Sequence, residues 1–183
     1  MKMNVRIIES RIPKKEAVER LKPKRRFLLN QKKAFRKIEF LYLPYFWVRL
    51  QTLFKGKRDK LLIAIDAIDG TAVFPDENFI RFKELELSDP LPFLLQEERI
   101  KPLALDTAHD FSMQVGLRQK VPLETMGFLS IERVYYPFWI AYFSSPKGLT
   151  FTALDAVSGM RQGVKMKQVF IKALRILENS NAE

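Results

Sequence analysis

The chain of 183 residues contains no cysteine, one histidine and only seven glycines. Without thiols it has no disulfide staple, no thiolate metal ligand and no cysteine nucleophile, although this lack does not fix a compartment. The lone histidine, His109, excludes a multi-histidine metal centre. It has Asp106 and Asp110 nearby, yet no nucleophile elbow accompanies it, so a solvated histidine on a helix face is expected. Phosphate loops, dinucleotide fingerprints and metalloprotease helix motifs are missing as well. Long apolar runs are lacking. The longest, residues 40–48, is interrupted by Pro44 and stopped by Arg49, well short of the roughly 20 residues of a membrane-spanning helix. The first 15 residues interleave charges with Ile7, Ile8 and Ile12 and show no signal-peptide core. The expected location is cytoplasmic, or the cell envelope if a leader or anchor has been trimmed, and no transmembrane segment is expected.

What is present is a large apolar fraction, 47 % hydrophobic and 12 % aromatic, which is enough to bury a core without metal or disulfide support. The net charge of +11 is concentrated at one end. Residues 1–60 carry +14, residues 61–120 carry −5 and residues 121–183 carry +2. A segment so basic attracts phosphates or anionic headgroups, or docks on an acidic surface of its own fold.

Sliding the sequence along itself exposes a repeat. Phe35, Ile38, Glu39, Tyr42 and Pro44 recur as Phe128, Ile131, Glu132, Tyr135 and Pro137 at a shift of 93. Ala64, Asp66, Ala67 and Gly70 then recur as Ala153, Asp155, Ala156 and Gly159 at a shift of 89. The four-residue difference falls in a polar connection, as a hairpin loop tolerates. Residues 61–65 form an apolar run of strand formers ending in Asp69–Gly70, a hairpin-turn dipeptide that returns the chain into residues 71–74. The aromatic blocks 39–50 and 132–143 also favour strands. Their prolines point to an edge, a bulge or a strand start rather than the middle of a central strand.

Helices are expected around these strands. Residues 14–21 place Ala17, Val18 and Leu21 at helical spacing between Pro13 and Pro23. Residues 91–115 are helical in part and broken near Pro102. The tail, residues 165–178, repeats Val169, Phe170, Ala173, Leu174 and Leu177 on one face. The fold expected is α+β: two repeated helix–strand–strand units with antiparallel hairpins, residues 1–85 and 86–183, the second ending in a C-terminal helix.

An aromatic strand with Tyr42 and Pro44, or Tyr135, Tyr136 and Pro137, followed by Asp66, Ala67 and Gly70, or Asp155, Ala156 and Gly159, resembles the repeats of PepSY and YpeB-like domains. The resemblance covers about 35 residues in each half. It implies small α+β modules with a helix on an antiparallel sheet and non-catalytic roles, such as modulating peptidases or binding proteins at the cell envelope. Those domains are often exported or tethered, whereas no leader is visible here.

Of the repeated residues, Asp66 with Gly70 and Asp155 with Gly159 are read as structural turns. An aspartate accepting nearby backbone N–H groups explains both copies, whereas the acid pair of Asp66 with Asp69 is not duplicated, Ser158 taking the second position. Glu39 and Glu132 are read as outward-facing or paired with a basic neighbour. The repeated aromatic positions, Tyr42, Pro44 and Trp47 with Tyr135, Pro137 and Trp139, are read as core rather than base-stacking platforms. The candidate anion contact is Lys22, Lys24, Arg25, Arg26, Lys32, Lys33, Arg36 and Lys37. No catalytic set, metal site or cofactor is expected. The function expected is that of a non-enzymatic interaction or regulatory protein binding a protein or peptide, through an exposed strand edge beside the repeated prolines. The alternative is an anion-binding adaptor contacting nucleic acid or an anionic membrane surface through residues 14–60.

Overall fold

The computed structural model of the chain describes residues 2–22 and 34–180. In chain order the elements are β1 (Lys2–Ile8), α1 (Lys14–Leu21), β2 (Ala34–Phe54), β3 (Lys57–Asp66), β4 (Ala72–Val73), β5 (Phe82–Ser88), α2 (Glu97–Gln119), β6 (Leu123–Ser145), β7 (Gly148–Asp155) and α3 (Val164–Ser180). The class is α+β, with a mostly antiparallel sheet. The strands hydrogen-bond in the order β4-β3-β2-β6-β1-β5, and β7 also pairs with β6. The expected helices at 14–21 and in the tail are present. Pro102, by contrast, does not break the second one.

Helix α2 runs through Pro102 because the proline is only its sixth residue. The N–H it lacks would have bonded the carbonyl of Glu98, and both Glu98 and Pro102 lie on the exposed side of the helix, where solvent can satisfy that carbonyl. On the opposite side Ile100, Ala104 and Ala108 recur every four residues and are fully buried. Strands β1 and β5 lie in stretches whose interleaved charges gave no strong strand signal. They pair antiparallel from Lys2 opposite Ser88 to Ile8 opposite Phe82, with a 3.0 Å ion pair between Lys2 and Glu86.

Two compact units divide the chain, one of residues Met1–Leu43, Asn78–Pro90 and Tyr136–Glu183, the other of Pro44–Glu77 and Leu91–Tyr135. Neither coincides with residues 1–85 or 86–183, because β2 and β6 are 21 and 23 residues long and each supplies residues to both units.

In the second unit α2 lies on one face of the β2–β3 hairpin. Strand alternation puts Phe46, Val48, Leu50, Ile63 and Ile65 on that face against Ile100, Ala104 and Ala108. The small alanines let helix and strands approach closely. In the first unit helices cover both faces of the β6–β7 hairpin. Ala17 and Leu21 of α1, with Ile12, pack on Ala141, Phe143 and Leu154, and the Trp139 indole N–H donates to the Ile12 carbonyl at 2.8 Å. From the other side the Phe170 ring of α3 meets Phe138 and Phe151, with centroids 5.1 and 6.3 Å apart.

The prolines sit in the middle of their strands by length, whereas an edge position, a bulge or a strand start was expected. A strand residue points its N–H and C=O to the same side, and the Pro44 carbonyl accepts the Ala67 N–H at 2.8 Å. The Pro44 nitrogen therefore faces the same way, just past Tyr45–Asp66, the last pair of the β2–β3 ladder. Pro137 stands likewise beyond Phe138–Asp155, its carbonyl accepting from Ala156 at 3.1 Å. Each missing donor falls where its partner strand has already ended.

Gly159 has a positive φ of +72°, and a side chain there would run into the Arg20 guanidinium, whose Nη1 donates to the Gly159 carbonyl at 3.1 Å. Gly159→Ala is expected to cost about 2–3 kcal/mol in urea unfolding, of which about 1–2 kcal/mol is left-handed backbone strain. In an Arg20→Ala background the same substitution should cost only the strain. Equal costs in both backgrounds would show that the guanidinium plays no part.

Candidate functional site

The two aspartate corners are built alike. The Oδ1 of Asp66 accepts the N–H groups of Ile68 at 3.0 Å and Asp69 at 2.7 Å, and its Oδ2 accepts that of Thr71 at 2.6 Å. The Asp66 carbonyl takes the Gly70 N–H at 3.1 Å. At the other corner Asp155 Oδ1 accepts from Val157 at 2.7 Å and Ser158 at 3.0 Å, its carbonyl takes the Gly159 N–H at 2.9 Å, and the Tyr136 hydroxyl supplies the remaining donor at 3.0 Å. The alanine after each aspartate continues the parallel. The Ala67 carbonyl accepts from Leu94 and Leu95 on the approach to α2, and the Ala156 carbonyl accepts from Arg11 and Ile12 on the approach to α1. Asp66 is fully buried, and burial raises its pKa even though the N–H groups of Asp69, Thr71 and Ile68 pull the other way. These carboxylates accept the N–H groups of their own turns.

The other sequence candidates are dispersed. Trp47, Pro44, Tyr135 and Pro137 are buried, whereas Tyr42 and Trp139 are half-buried. The Tyr135 hydroxyl donates to the Leu91 carbonyl at 2.8 Å, and Trp139 stacks edge-on with Phe40 at 4.6 Å. These rings are packing. Glu132 lies 2.5 Å from Arg49, which also reaches Glu77 at 3.3 Å. Glu39 pairs with Lys37 at 2.5 Å; burial alone would raise its pKa, but the bonds from Lys37 and Tyr142 outweigh that and lower it. His109 is exposed on α2 with Asp106 and Asp110. Among the described residues no three His, Cys, Asp or Glu side chains converge to hold a metal.

Of the basic residues, Lys24, Arg25, Arg26, Lys32 and Lys33 lie outside the described residues. Lys22 is exposed. Arg36 donates to Ser144 Oγ at 2.9 Å, and Lys37, besides its pairing with Glu39, sits 4.9 Å over the Tyr142 ring. The two described strand cations are thus engaged within the fold.

The strand edges beside the prolines are closed, contrary to expectation. Near Pro44, β3 is covered where Ala64 and Ile65 pair with β4. Near Pro137, the Asp155 N–H donates to the Met160 carbonyl and the Ala153 carbonyl accepts from Gln162. The open edge lies at the far end of the second hairpin. The bonds at Ala153 and Asp155 fix which residues face outward, so alternation turns the N–H and C=O groups of Leu149 and Phe151 away from β6. Among the described residues no strand pairs with them.

Beyond this edge rises the first turn of α3, and between the two runs a groove of about 270 Å³ lined by residues 150–153, Gln162, Gly163, Val164, Lys167 and Phe170. Of its lining Val164 is 81 % exposed, Leu149 next to it in β7 is 70 % exposed, and the Lys167 amine lies 5.6 Å over the Phe151 ring. The sequence carried a faint trace of it, an uncharged strand of residues 149–153 ahead of an amphipathic helix, but nothing in one chain reveals which edge goes unpaired.

No family model, no curated protein and no solved structure matches this chain. Among the described residues no helix is long and apolar enough to cross a membrane.

Asp66→Ala would strand three buried or half-buried N–H donors and is expected to destabilise by about 2–4 kcal/mol. Asp66→Asn isolates the charge. A folded-state pKa above the unfolded value means that the folded chain holds the proton more tightly. The contribution of Asp66 is then fullest below the ordinary carboxylate range and declines as pH rises through the raised value. Urea unfolding of both proteins between about pH 3 and about pH 7 should show the wild-type advantage over Asp66→Asn shrinking with pH. A constant or growing advantage would contradict the assignment.

Proposed function

We propose that this chain is a non-enzymatic binding module, made of two related α+β units, that holds a protein or peptide partner in extended form along the open edge of β7. The observation that carries the reading is an uncharged strand edge, unpaired among the described residues, with a helix standing across a groove from it. This is the arrangement by which an added strand gains main-chain hydrogen bonds from the edge and side-chain contacts from the helix.

The other features agree with it. The carboxylates that invite a catalytic reading serve turns and ion pairs: Asp66 and Asp155 close corners, and Glu132 and Glu39 face Arg49 and Lys37. The matching hydrogen bonds at the two corners support descent of the units from one ancestral copy, in keeping with the resemblance to PepSY-like modules and their non-catalytic roles.

The reading is tested by selecting a phage-displayed random peptide library against the full chain and measuring amide hydrogen exchange with a selected peptide bound. Slowed exchange at Leu149 and Phe151 is the expected result. Failure to select any peptide, or protection confined to other strands, would overturn it. So would binding of duplex DNA or anionic vesicles that collapses with salt and is abolished by charge reversal at Arg25, Arg26, Lys32 and Lys33, since that is the signature of the anion-binding alternative.

A further inference from the structure

We infer that the partner of the β7 edge is an acidic extended peptide, one carrying carboxylates on the side of its strand that faces α3. The inference rests on the docking reading above and adds the chemistry of the occupant.

Charge in the stretch of chain that builds the groove is one-sided. Between residues 144 and 178 the sequence has six cations, Lys147, Arg161, Lys165, Lys167, Lys172 and Arg175, against two carboxylates, Asp155 and Glu178; of the six, Arg161 is bonded to the Arg20 and Lys22 carbonyls and Lys167 lines the groove. Neither carboxylate answers the groove. Asp155 is bound by Val157, Ser158 and Tyr136, and Glu178 is four turns along α3 from Val164. Lys167 is the cation that lines the groove, and among the described residues its amine meets the face of Phe151 rather than a carboxylate. Lys165 stands exposed in the same first turn of α3, and Lys147 is exposed in the turn that leads into β7.

Geometry makes this field selective. An added strand bonded to Leu149 and Phe151 would alternate its side chains, every second one lying on the Phe151 side, between the edge and α3. A glutamate or aspartate there would reach Lys167 while its stem covers the exposed Leu149 and Val164. A lysine there would meet Lys167 with no carboxylate of the groove to offset the repulsion. The hairpin end of β3 and the strand β5 lack this combination. Before the stretch that β4 covers, β3 presents Lys57, Arg58, Asp59 and Lys60 ahead of the half-buried Leu61 and the buried Leu62 and Ile63, and β5 presents Lys83, Glu84 and Glu86; the charged residues are all exposed. Such charges blunt an edge against strand addition.

The test uses three capped synthetic heptapeptides: alternating glutamate and valine, alternating lysine and valine, and the glutamate peptide N-methylated at alternate amides. Binding to the full chain is followed by fluorescence anisotropy, and the site is mapped by amide chemical shifts. The glutamate peptide should bind at least about tenfold more tightly than the lysine peptide and shift Leu149, Phe151 and Lys167. Lys167→Glu, an exposed change checked for an unaltered circular dichroism spectrum, should weaken the glutamate peptide about five- to tenfold. N-methylation should cost it about tenfold or more, since it removes the donors that pair with the edge. If the lysine peptide binds this edge as tightly, or Lys167→Glu leaves the glutamate peptide unaffected, the acidic partner is refuted while strand docking survives. If the N-methylated peptide binds as well as its parent, or the shifts fall outside β7 and α3, strand docking itself is refuted.

Discussion

A hairpin of this fold ends at a carboxylate, and that carboxylate sets what surrounds it. When β3 and β7 run out at Asp66 and Asp155, the next N–H groups have no strand to bond. The aspartate side chain gathers them, three at Asp66 and two at Asp155. Once the turn is held, the following alanine points its N–H back at a proline carbonyl and its C=O outward to the segment entering a helix. One residue type at one position thus couples the end of a ladder, the placing of a proline and the docking of α2 or α1. Burial makes the first of these costly, because desolvation disfavours the charged form of Asp66 and raises its pKa. The bonds from its own turn are the return on that cost.

The proline positions follow from the same constraint. In a central strand proline normally forfeits a ladder bond, yet Pro44 and Pro137 forfeit none, since the neighbour on the side they face has already turned away. This is why strands of 21 and 23 residues continue through a proline. It also accounts for the unit boundaries, Leu43–Pro44 and Tyr135–Tyr136, which fall at or within two residues of the prolines. Past that point each strand takes up its hairpin partner, β3 from Tyr45 onward in β2 and β7 from Phe138 onward in β6.

Much of this was legible in the sequence because it is local. The Asp66 and Asp155 corners depend on residues within five positions of one another, and α1 and α3 declare themselves by the spacing of Ala17 with Leu21 and of Val169, Phe170 and Ala173. Helix α2 was legible except for Pro102, whose place on the exposed side of the helix, with Glu98, is a tertiary fact. Strands β1 and β5 were not legible. Met3, Val5 and Ile7 alternate with polar residues, as do Leu85 and Leu87, but each stretch is seven residues long and each finds its partner some 80 residues away. The groove was least legible of all, for an unpaired edge is defined by what does not come to it.

Edges are where a β-rich chain must choose between protection and use. Here the choice is written in side chains. The outer edges of β3 and β5 are dressed with lysine, arginine, aspartate and glutamate, whereas Leu149, Thr150, Phe151 and Thr152 bring no charge to the edge of β7. An edge left bare for want of selection would promote self-association, since a second copy of the same strand is its simplest partner. The cations around it oppose that outcome. Two copies meeting edge to edge would bring Lys147 and Lys167 of each into one field, with no groove carboxylate to offset them. A strand bearing the opposite charge meets no such penalty. On the proposed reading the same lysines that would discourage self-pairing favour an acidic guest, so protection of this edge and recognition by it would be one electrostatic property.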